Sequence, residues 1–126
     1  MSIAFVDGGC RGNHQKGEPR AAYGSYKIIQ ENGDEIHACR FELPLADSNN
    51  EAEYLSLIRL LEDPHLAEGS AILVDSVLLV GHLELGWRVR AENLKPLHRR
   101  ARGLLQEKRA VLRQVPRATI EERLGH

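Results

Sequence analysis

Three acidic side chains lie beside apolar segments of this chain. Asp7 follows the apolar run of residues 2–6, and Asp75 follows that of residues 70–74. Glu53 lies on an otherwise apolar stripe of a predicted helix. An ionised carboxylate in such surroundings needs a hydrogen-bond donor or a cation. A lone aspartate after a strand is more often a turn former, but the three acids together favour a cation-binding site.

Hydrophobic periodicity predicts the elements that position these acids. Alternation and β-branched content predict strands over residues 2–6, 21–30, 35–43, 70–74 and 110–115. Helical periodicity predicts helices over residues 48–63, 76–80 and 94–107. Asn32-Gly33 predicts a hairpin turn between the second and third strands. Ser48 and Glu51 have the spacing of a capping box, in which each side chain reaches the other residue's backbone amide.

The order of these elements predicts an α/β fold. Its five-stranded mixed sheet would have three antiparallel strands and then two parallel ones, with helices on both faces. Asp7 and Asp75 would then lie at one edge of the sheet, where open α/β sheets bind ligands. Mg²⁺ or Mn²⁺ would relieve the repulsion among the acids. Two such ions about 4 Å apart can hold the attacking water and the leaving oxygen of a phosphodiester.

Length and composition are typical of one globular domain, which we expect to span residues 1–126. The sequence has no apolar run that could span a bilayer and no basic-then-apolar leader. We therefore expect a cytoplasmic protein that makes no membrane contact.

Cys10 and Cys39 do not have the spacing of a metal knuckle, and we expect both to be reduced thiols.

Charge is distributed unevenly along the chain. Residues 88–113 contain nine lysines or arginines against Glu92 and Glu107, a local balance of +7. Residues 1–87 contain six basic and fourteen acidic residues, a balance of −8. This asymmetry suggests an anionic partner on the basic side and a cation on the acidic side. A solvated helix face would explain the basic run equally well.

A series of short motifs carries a resemblance to a known family. In chain order they are residues 7–13 (Asp-Gly-Gly-Cys-Arg-Gly-Asn), residues 22–24 (Ala-Tyr-Gly), residues 48–54 (Ser-Asn-Asn-Glu-Ala-Glu-Tyr), residues 74–76 (Val-Asp-Ser), residues 87–97 and residues 115–117 (Val-Pro-Arg). Their types and order resemble type 1 ribonuclease H along nearly the whole chain. The segment at Trp87 is similar to that of family members without a large basic protrusion.

The resemblance implies a ribonuclease H-like fold and metal-dependent hydrolysis of the RNA strand of RNA–DNA hybrids. Asp7 would bridge two Mg²⁺ or Mn²⁺ ions, with Glu53 and Asp75 completing the ion on the leaving-group side. Residues that would contact the hybrid, through its minor groove or its phosphates, are Asn13, Asn49, Asn50, Arg88, Arg90 and Lys95. For Asn49, a purely structural role beside the helix cap is an equal alternative.

The C-terminus departs from the family pattern. The pattern Val-Pro-Arg-x-x-Asn-x-x-Ala-Asp places Leu124 where the family has its fourth metal-binding carboxylate. We expect the family's C-terminal helix to be essentially missing. Glu121 precedes Leu124 by one helical turn and is the candidate substitute, while Glu122 would face another side. Both glutamates could instead belong to a solvated tail.

Three functions remain open at this point. The first is a hybrid-directed endonuclease, weakened because the fourth carboxylate is not at its usual place. The second is a degenerate ribonuclease H-like domain that binds nucleic acid without cutting it. The third is an assembly or regulatory module that keeps only the fold, because fold alone does not establish function. A monomer and a homodimer are both compatible with the sequence.

Overall fold

The structure, a computed structural model, describes residues 2–11 and 21–125. Its strands are β1 (Ser2–Arg11), β2 (Ala21–Gln30), β3 (Glu35–Glu42), β4 (Ala71–Val74) and β5 (Val111–Gln114). They form one sheet in the order β3-β2-β1-β4-β5. Strands β1, β2 and β3 pair antiparallel, whereas β4 pairs parallel with both β1 and β5. The predicted mixed α/β sheet is confirmed.

Helices cover both faces of this sheet. They are α1 (Asn49–Leu61), α2 (Val77–Leu83), α3 (Lys95–Lys108) and α4 (Arg117–Leu124), with a 3₁₀ turn at Glu92–Leu94. The first three share the larger apolar core on one face, and α4 packs on the other. Within the described part of the chain, no helix has the length and apolar composition needed to cross a membrane.

The presence of α4 corrects the expectation that the C-terminal helix is essentially missing. Pro116 is the extended residue before the helix, and Ile120 and Leu124 follow on one helical stripe. Ile120 is fully buried and packs with Phe5 and Ile29 of the sheet. Eight residues are too few for a stable isolated helix, so this docking supplies the stabilisation that local propensity does not.

Strand β1 is longer than the predicted strand of residues 2–6. It continues past Asp7 and the glycine pair because β2 pairs with it along its whole length, from Ser2–Gln30 to Arg11–Ala21. Its parallel pairing with β4 ends at Phe5, opposite Leu73. Asp7 therefore lies inside an antiparallel pair but just beyond the part that β4 covers, and it is not a turn residue.

Two glycines let α1 approach the sheet closely. Gly8 and Gly24 face each other across β1 and β2. A Cβ on Gly8 would stand 2.4 Å from the Ala52 carbonyl oxygen, and one on Gly24 would stand 2.0 Å from the Ser56 hydroxyl. Any larger side chain would push the helix outward. The glycines thereby set the height of α1 above β1, and with it the position of Glu53.

The first turn of α1 is capped differently from the predicted reciprocal box. Ser48 Oγ accepts from the Glu51 amide at 3.1 Å, as predicted. The Glu51 side chain instead accepts from the Asp47 amide at 3.0 Å and from the Asn93 side chain. The second contact ties the start of α1 to the 3₁₀ turn before α3. At the other end of α1, Glu62 pairs with Arg100 near the middle of α3, so α3 runs beside α1 in the same direction.

Candidate active site

Asp7 and Asp75 converge on a single nitrogen atom. Arg117 Nη1 donates to Asp7 Oδ2 at 2.8 Å and to Asp75 Oδ2 at 3.0 Å. The Asp7 side chain is 4% exposed and that of Asp75 is 19% exposed. Both carboxylates therefore lie at the same edge of the sheet, beside the carboxyl end of β4, with the first residue of α4 between them.

Glu53 reaches the same place from α1. Burial, together with the negative charges of Asp75 and Asp7, raises the pKa of Glu53 to about 7, against a hydrogen bond from the Ser76 hydroxyl and the charge of Arg117. Glu53 therefore lies within electrostatic range of both aspartates. The structure thus brings together the three acids that the sequence singled out.

Arg117 is the cation of this cluster. Its hydrogen bonds to Asp7 and then to Asp75 raise the pKa of its guanidinium above the ordinary value, against a smaller opposing effect of burial. It therefore stays charged and offsets part of the carboxylate repulsion. In the sequence, Arg117 stands out only as part of the Val-Pro-Arg motif, which did not predict its place in the site.

The two C-terminal candidates for the fourth carboxylate position differ in their surroundings. Leu124 packs with the apolar cluster of Phe5 and Ile120. Glu121 is exposed, and its Oε1 accepts from Arg117 Nε at 3.2 Å. The guanidinium that holds Asp7 and Asp75 therefore also contacts Glu121. Glu122 is exposed on the surface of α4.

The three asparagines that we expect to contact the hybrid have different structural surroundings. Asn13 lies outside the described residues. Asn49 Oδ1 accepts from the Cys10 amide at 2.8 Å and ties the start of α1 to β1, which favours its structural role. Asn50 lines a groove of about 540 Å³ together with Trp87, Arg88 and other residues of the segment before α3.

The basic run does not form one continuous face. Arg88 and Arg90 are exposed and line the groove that holds Asn50. Lys95 pairs with Glu92 at 2.6 Å. Farther along α3, Arg100 pairs with Glu62 at the far end of α1. The parallel course of α1 and α3 thus leaves the first part of the run at the end of the sheet that holds the acids.

Comparison with solved structures identifies the family of the chain, although no family model matches it and no curated protein matches it. The N-terminal ribonuclease H domain of a Mycobacterium tuberculosis protein is 30% identical, with 98% of this chain and 88% of that one covered and a TM-score of 0.81. The chain belongs to the type 1 ribonuclease H family.

Two further type 1 ribonucleases H are similar to it. RNase H1 from the halophilic archaeon Halobacterium salinarum is 28% identical over 95% of this chain and 89% of that one, with a TM-score of 0.80. LC11-RNase H1, in a structure in complex with an RNA/DNA hybrid, is 26% identical over 97% of this chain and 90% of that one, with a TM-score of 0.82. The resemblance inferred from the motifs is confirmed.

The charge and donor set of this ribonuclease H site fit a divalent cation. Asp7, Glu53 and Asp75 supply only oxygen donors, which Mg²⁺ and Mn²⁺ prefer. Two of these acids share the guanidinium of Arg117, and the pKa of the third is raised by burial and by the charges of the other two. A cation bound there would remove the remaining repulsion. His37, Asp63 and His65 form a separate cluster of potential metal ligands.

Proposed function

We propose that this type 1 ribonuclease H hydrolyses the RNA strand of RNA–DNA hybrids and depends on Mg²⁺ or Mn²⁺. The convergence of Asp7, Glu53 and Asp75 at the carboxyl end of β4 carries the proposal. The hybrid bound to LC11-RNase H1, a related protein of the same fold, supports the choice of substrate. We propose that residues 1–126 act as one such domain, in which the three acids hold the divalent ions.

The residues of the site would bind the ion or hold its ligands in place. A bound divalent ion supplies Lewis-acid polarisation of a phosphoryl oxygen and lowers the pKa of bound water. Asp7 is the most buried of the acids and touches Arg117, so it is the central ligand in our proposal. Arg117 keeps the acids together before an ion arrives. Ser76 orients Glu53 through its hydroxyl.

We propose that Glu121 takes the part of the family's fourth carboxylate. Its contact with Arg117 supports this role, because the same guanidinium touches Asp7 and Asp75. Leucine at position 124 can bind neither an ion nor water. The Glu121 side chain leaves α4 one turn before position 124. We therefore expect slower hydrolysis than in a family member with the fourth carboxylate at its usual position. Mn²⁺ should support it better than Mg²⁺, which demands near-ideal octahedral geometry.

The hybrid would lie across the groove at the start of α1, where Asn50 stands one helical turn before Glu53. Arg88 and Arg90 would contact phosphates, and Asn50 would face the nucleic acid from the start of α1. Asn49 supports that surface by holding Cys10 of β1. We propose that Asn13 and Lys95 also contact the hybrid, as the family resemblance implies.

One observation favours the alternative of a protein that binds hybrids without cutting them. Leu124 belongs to the apolar cluster on which α4 docks, so the site lacks a carboxylate at its usual place. A cleavage assay separates the two functions. A labelled RNA–DNA hybrid is incubated with the protein and Mn²⁺ or Mg²⁺, with single-stranded RNA, RNA duplex and DNA duplex as competing substrates.

The variant Asp7→Asn is the control for that assay, since it keeps the shape and removes the charge. We expect hybrid cleavage by the parent protein, with at least a roughly tenfold loss in Asp7→Asn, the lower end for residues that support a metal site. Binding of the hybrid by the parent without cleavage in either metal would establish the alternative function. Undiminished cleavage by Asp7→Asn would contradict the assignment of the site.

A further inference from the structure

A second group of potential metal ligands lies at the opposite end of α1 from Glu53. The helix runs eight residues from Glu53 to its last residue, Leu61, a distance of about 12 Å at the helical rise per residue. Beyond it, Asp63 and His65 form the turn that leads towards β4. His37 meets them from β3, which is an edge strand of the sheet.

The two histidines are arranged around one buried carboxylate. His65 Nδ1 lies 2.7 Å from Asp63 Oδ1, and His37 Nε2 lies 3.5 Å from Asp63 Oδ2. The two imidazole rings stack in nearly parallel planes, with centroids 4.3 Å apart and an interplanar angle of 12°. One nitrogen of each ring thus approaches its own oxygen of the same carboxylate.

We infer that His37, Asp63 and His65 form a binding site for a Zn²⁺-like transition-metal ion, separate from the carboxylate site of the ribonuclease H centre. One ligand atom from each residue lies within 4.8 Å of the other two. Tetrahedral Zn²⁺ with ligand bonds of about 2.0–2.1 Å needs its donor atoms roughly 3.3 Å apart. Small rotations of two partly exposed rings would bring the donors to that spacing.

The surroundings of Asp63 hold its carboxylate as a metal ligand requires. Its side chain is 5% exposed. The Tyr26 hydroxyl donates to Oδ2 at 2.6 Å, and the backbone amide of His65 donates to Oδ1 at 2.8 Å. Such contacts fix the orientation of a ligating carboxylate. Tyr26 comes from β2, so the carboxylate is anchored by the sheet as well as by its own turn.

The donor set separates this site from the first one by chemistry. Two imidazole nitrogens and one carboxylate oxygen suit Zn²⁺, whereas Mg²⁺ and Mn²⁺ favour oxygen ligands. Three protein ligands leave one tetrahedral position to solvent, which the partly exposed rings of His37 and His65 admit. An ion there would tie the turn after α1 to the edge strand β3, so its expected effect is on stability and not on hybrid cleavage.

The test measures Zn²⁺ binding by equilibrium dialysis with metal analysis, using Asp7→Asn protein so that the carboxylate site is weakened. We expect one Zn²⁺ per chain and a higher unfolding temperature with Zn²⁺. His65→Gln and His37→Gln in the same background should each lower the affinity at least about tenfold, because even a residue that only supports a metal ligand costs that much. In protein that keeps Asp7, His65→Gln and His37→Gln should each leave the rate of hybrid cleavage unchanged.

His98→Gln is the matched control, since it removes a histidine that lies in α3 and outside the cluster. Its Zn²⁺ affinity should equal that of the Asp7→Asn parent. Replacement of Zn²⁺ by Co²⁺ gives a visible absorption that reports a tetrahedral site and should be lost in His65→Gln. No Zn²⁺ binding by the Asp7→Asn protein, or equal binding by His65→Gln, His37→Gln and His98→Gln, would overturn the inference.

Discussion

Arg117 Nη1 lies 2.8 Å from Asp7 Oδ2, although the two residues are 110 positions apart in the chain. The carboxylate is 4% exposed, whereas the guanidinium is 44% exposed. A buried carboxylate of this kind is stable only with a partner. The start of α4 therefore supplies the charge that β1 needs, and the C-terminal segment is part of the site in spite of its departures from the family pattern.

Replacement of Arg117 by methionine tests this dependence. Without a divalent ion we expect the free energy of unfolding to fall by about 1–2 kcal/mol, below the usual cost of breaking a fully buried pair because solvent screens the guanidinium. Added Mn²⁺ should restore more stability to Arg117→Met than it adds to the parent, because the ion replaces the lost charge. Urea unfolding with and without Mn²⁺ measures both effects. Arg99→Met, an exposed change in α3, should respond to Mn²⁺ as the parent does.

Glu121 and Glu122 form a matched pair for the role of the fourth carboxylate. Glu121→Gln should lower the rate of hybrid cleavage at least about tenfold, because Glu121 contacts the guanidinium shared by the aspartates. Glu122→Gln makes the same change of charge one residue away and should leave the rate unchanged. Single-turnover cleavage in Mn²⁺ compares them. Equal rates for both variants and the parent would show that another group takes this role.

Leu124→Asp restores the family's residue at the fourth position. We expect a higher cleavage rate per folded molecule, because a carboxylate returns to its usual place in the pattern. We also expect a lower unfolding temperature, since Leu124 packs with Phe5 and Ile120 and a charge in that cluster is costly. Rate and thermal unfolding are measured on the same samples. A rate below that of the parent in fully folded protein would count against this reading of the pattern.

Gly8→Ala tests whether the close approach of α1 positions Glu53. The new Cβ would stand 2.4 Å from the Ala52 carbonyl oxygen, so we expect a loss of about 1–3 kcal/mol of stability together with slower cleavage. Gly103→Ala is the control, because its Cβ would meet nothing within 4 Å and alanine is favoured in a helix by about 1 kcal/mol. Denaturant unfolding should show lower stability for Gly8→Ala and higher stability for Gly103→Ala than for the parent. The cleavage rate should fall only in Gly8→Ala.

Salt dependence of hybrid binding tests the groove. Each phosphate contact removed should reduce the slope of log affinity against log salt by about 1. We expect this for Arg88→Ala and for Arg90→Ala, which line the groove. Arg100→Ala should bind hybrids as the parent does, because Arg100 pairs with Glu62 at the other end of α1. Titrations at several salt concentrations with Asp7→Asn protein, in which cleavage should be slowed, give the slopes.

The stability of the α1–α2–α3 core should depend on pH through His82. Burial and then the neighbouring His98 lower the pKa of His82, and its Nδ1 lies 2.7 Å from the Tyr54 hydroxyl. The unfolded chain, with an ordinary histidine pKa of about 6.5, binds the proton first as pH falls. The free energy of unfolding should therefore decrease as pH drops below about 6.5, down to the lower pKa of the folded state.

His82→Asn removes this titration and keeps a polar group near Tyr54. Denaturant unfolding from neutral to mildly acidic pH should show a shallower loss of stability for the variant than for the parent. His98, whose ring meets His82 edge-on at 6.2 Å between centroids, is kept in both proteins. Parallel curves for the two proteins would show that His82 does not carry the effect.

Local signals in the sequence determined much of the fold. The alternation in the strands, the Asn32-Gly33 turn and the Ser48 cap depend on neighbouring residues, and the structure confirms the five-stranded mixed sheet and the capping bond from Glu51 to Ser48. The sequence also identified Asp7, Glu53 and Asp75 as candidate site residues, because acidic residues beside apolar segments can be recognised without the structure.

Tertiary structure alone decided how far β1 extends and what completes the site. The glycine pair suggested the end of a strand, but pairing with β2 carries β1 on to Arg11. Helix α4 forms because Ile120 finds an apolar surface on the sheet, which no propensity of its eight residues predicts. Arg117 reaches Asp7 and Asp75 only once α4 is docked. Contacts between distant segments depend on how the whole chain packs, so no local pattern in the sequence could specify them.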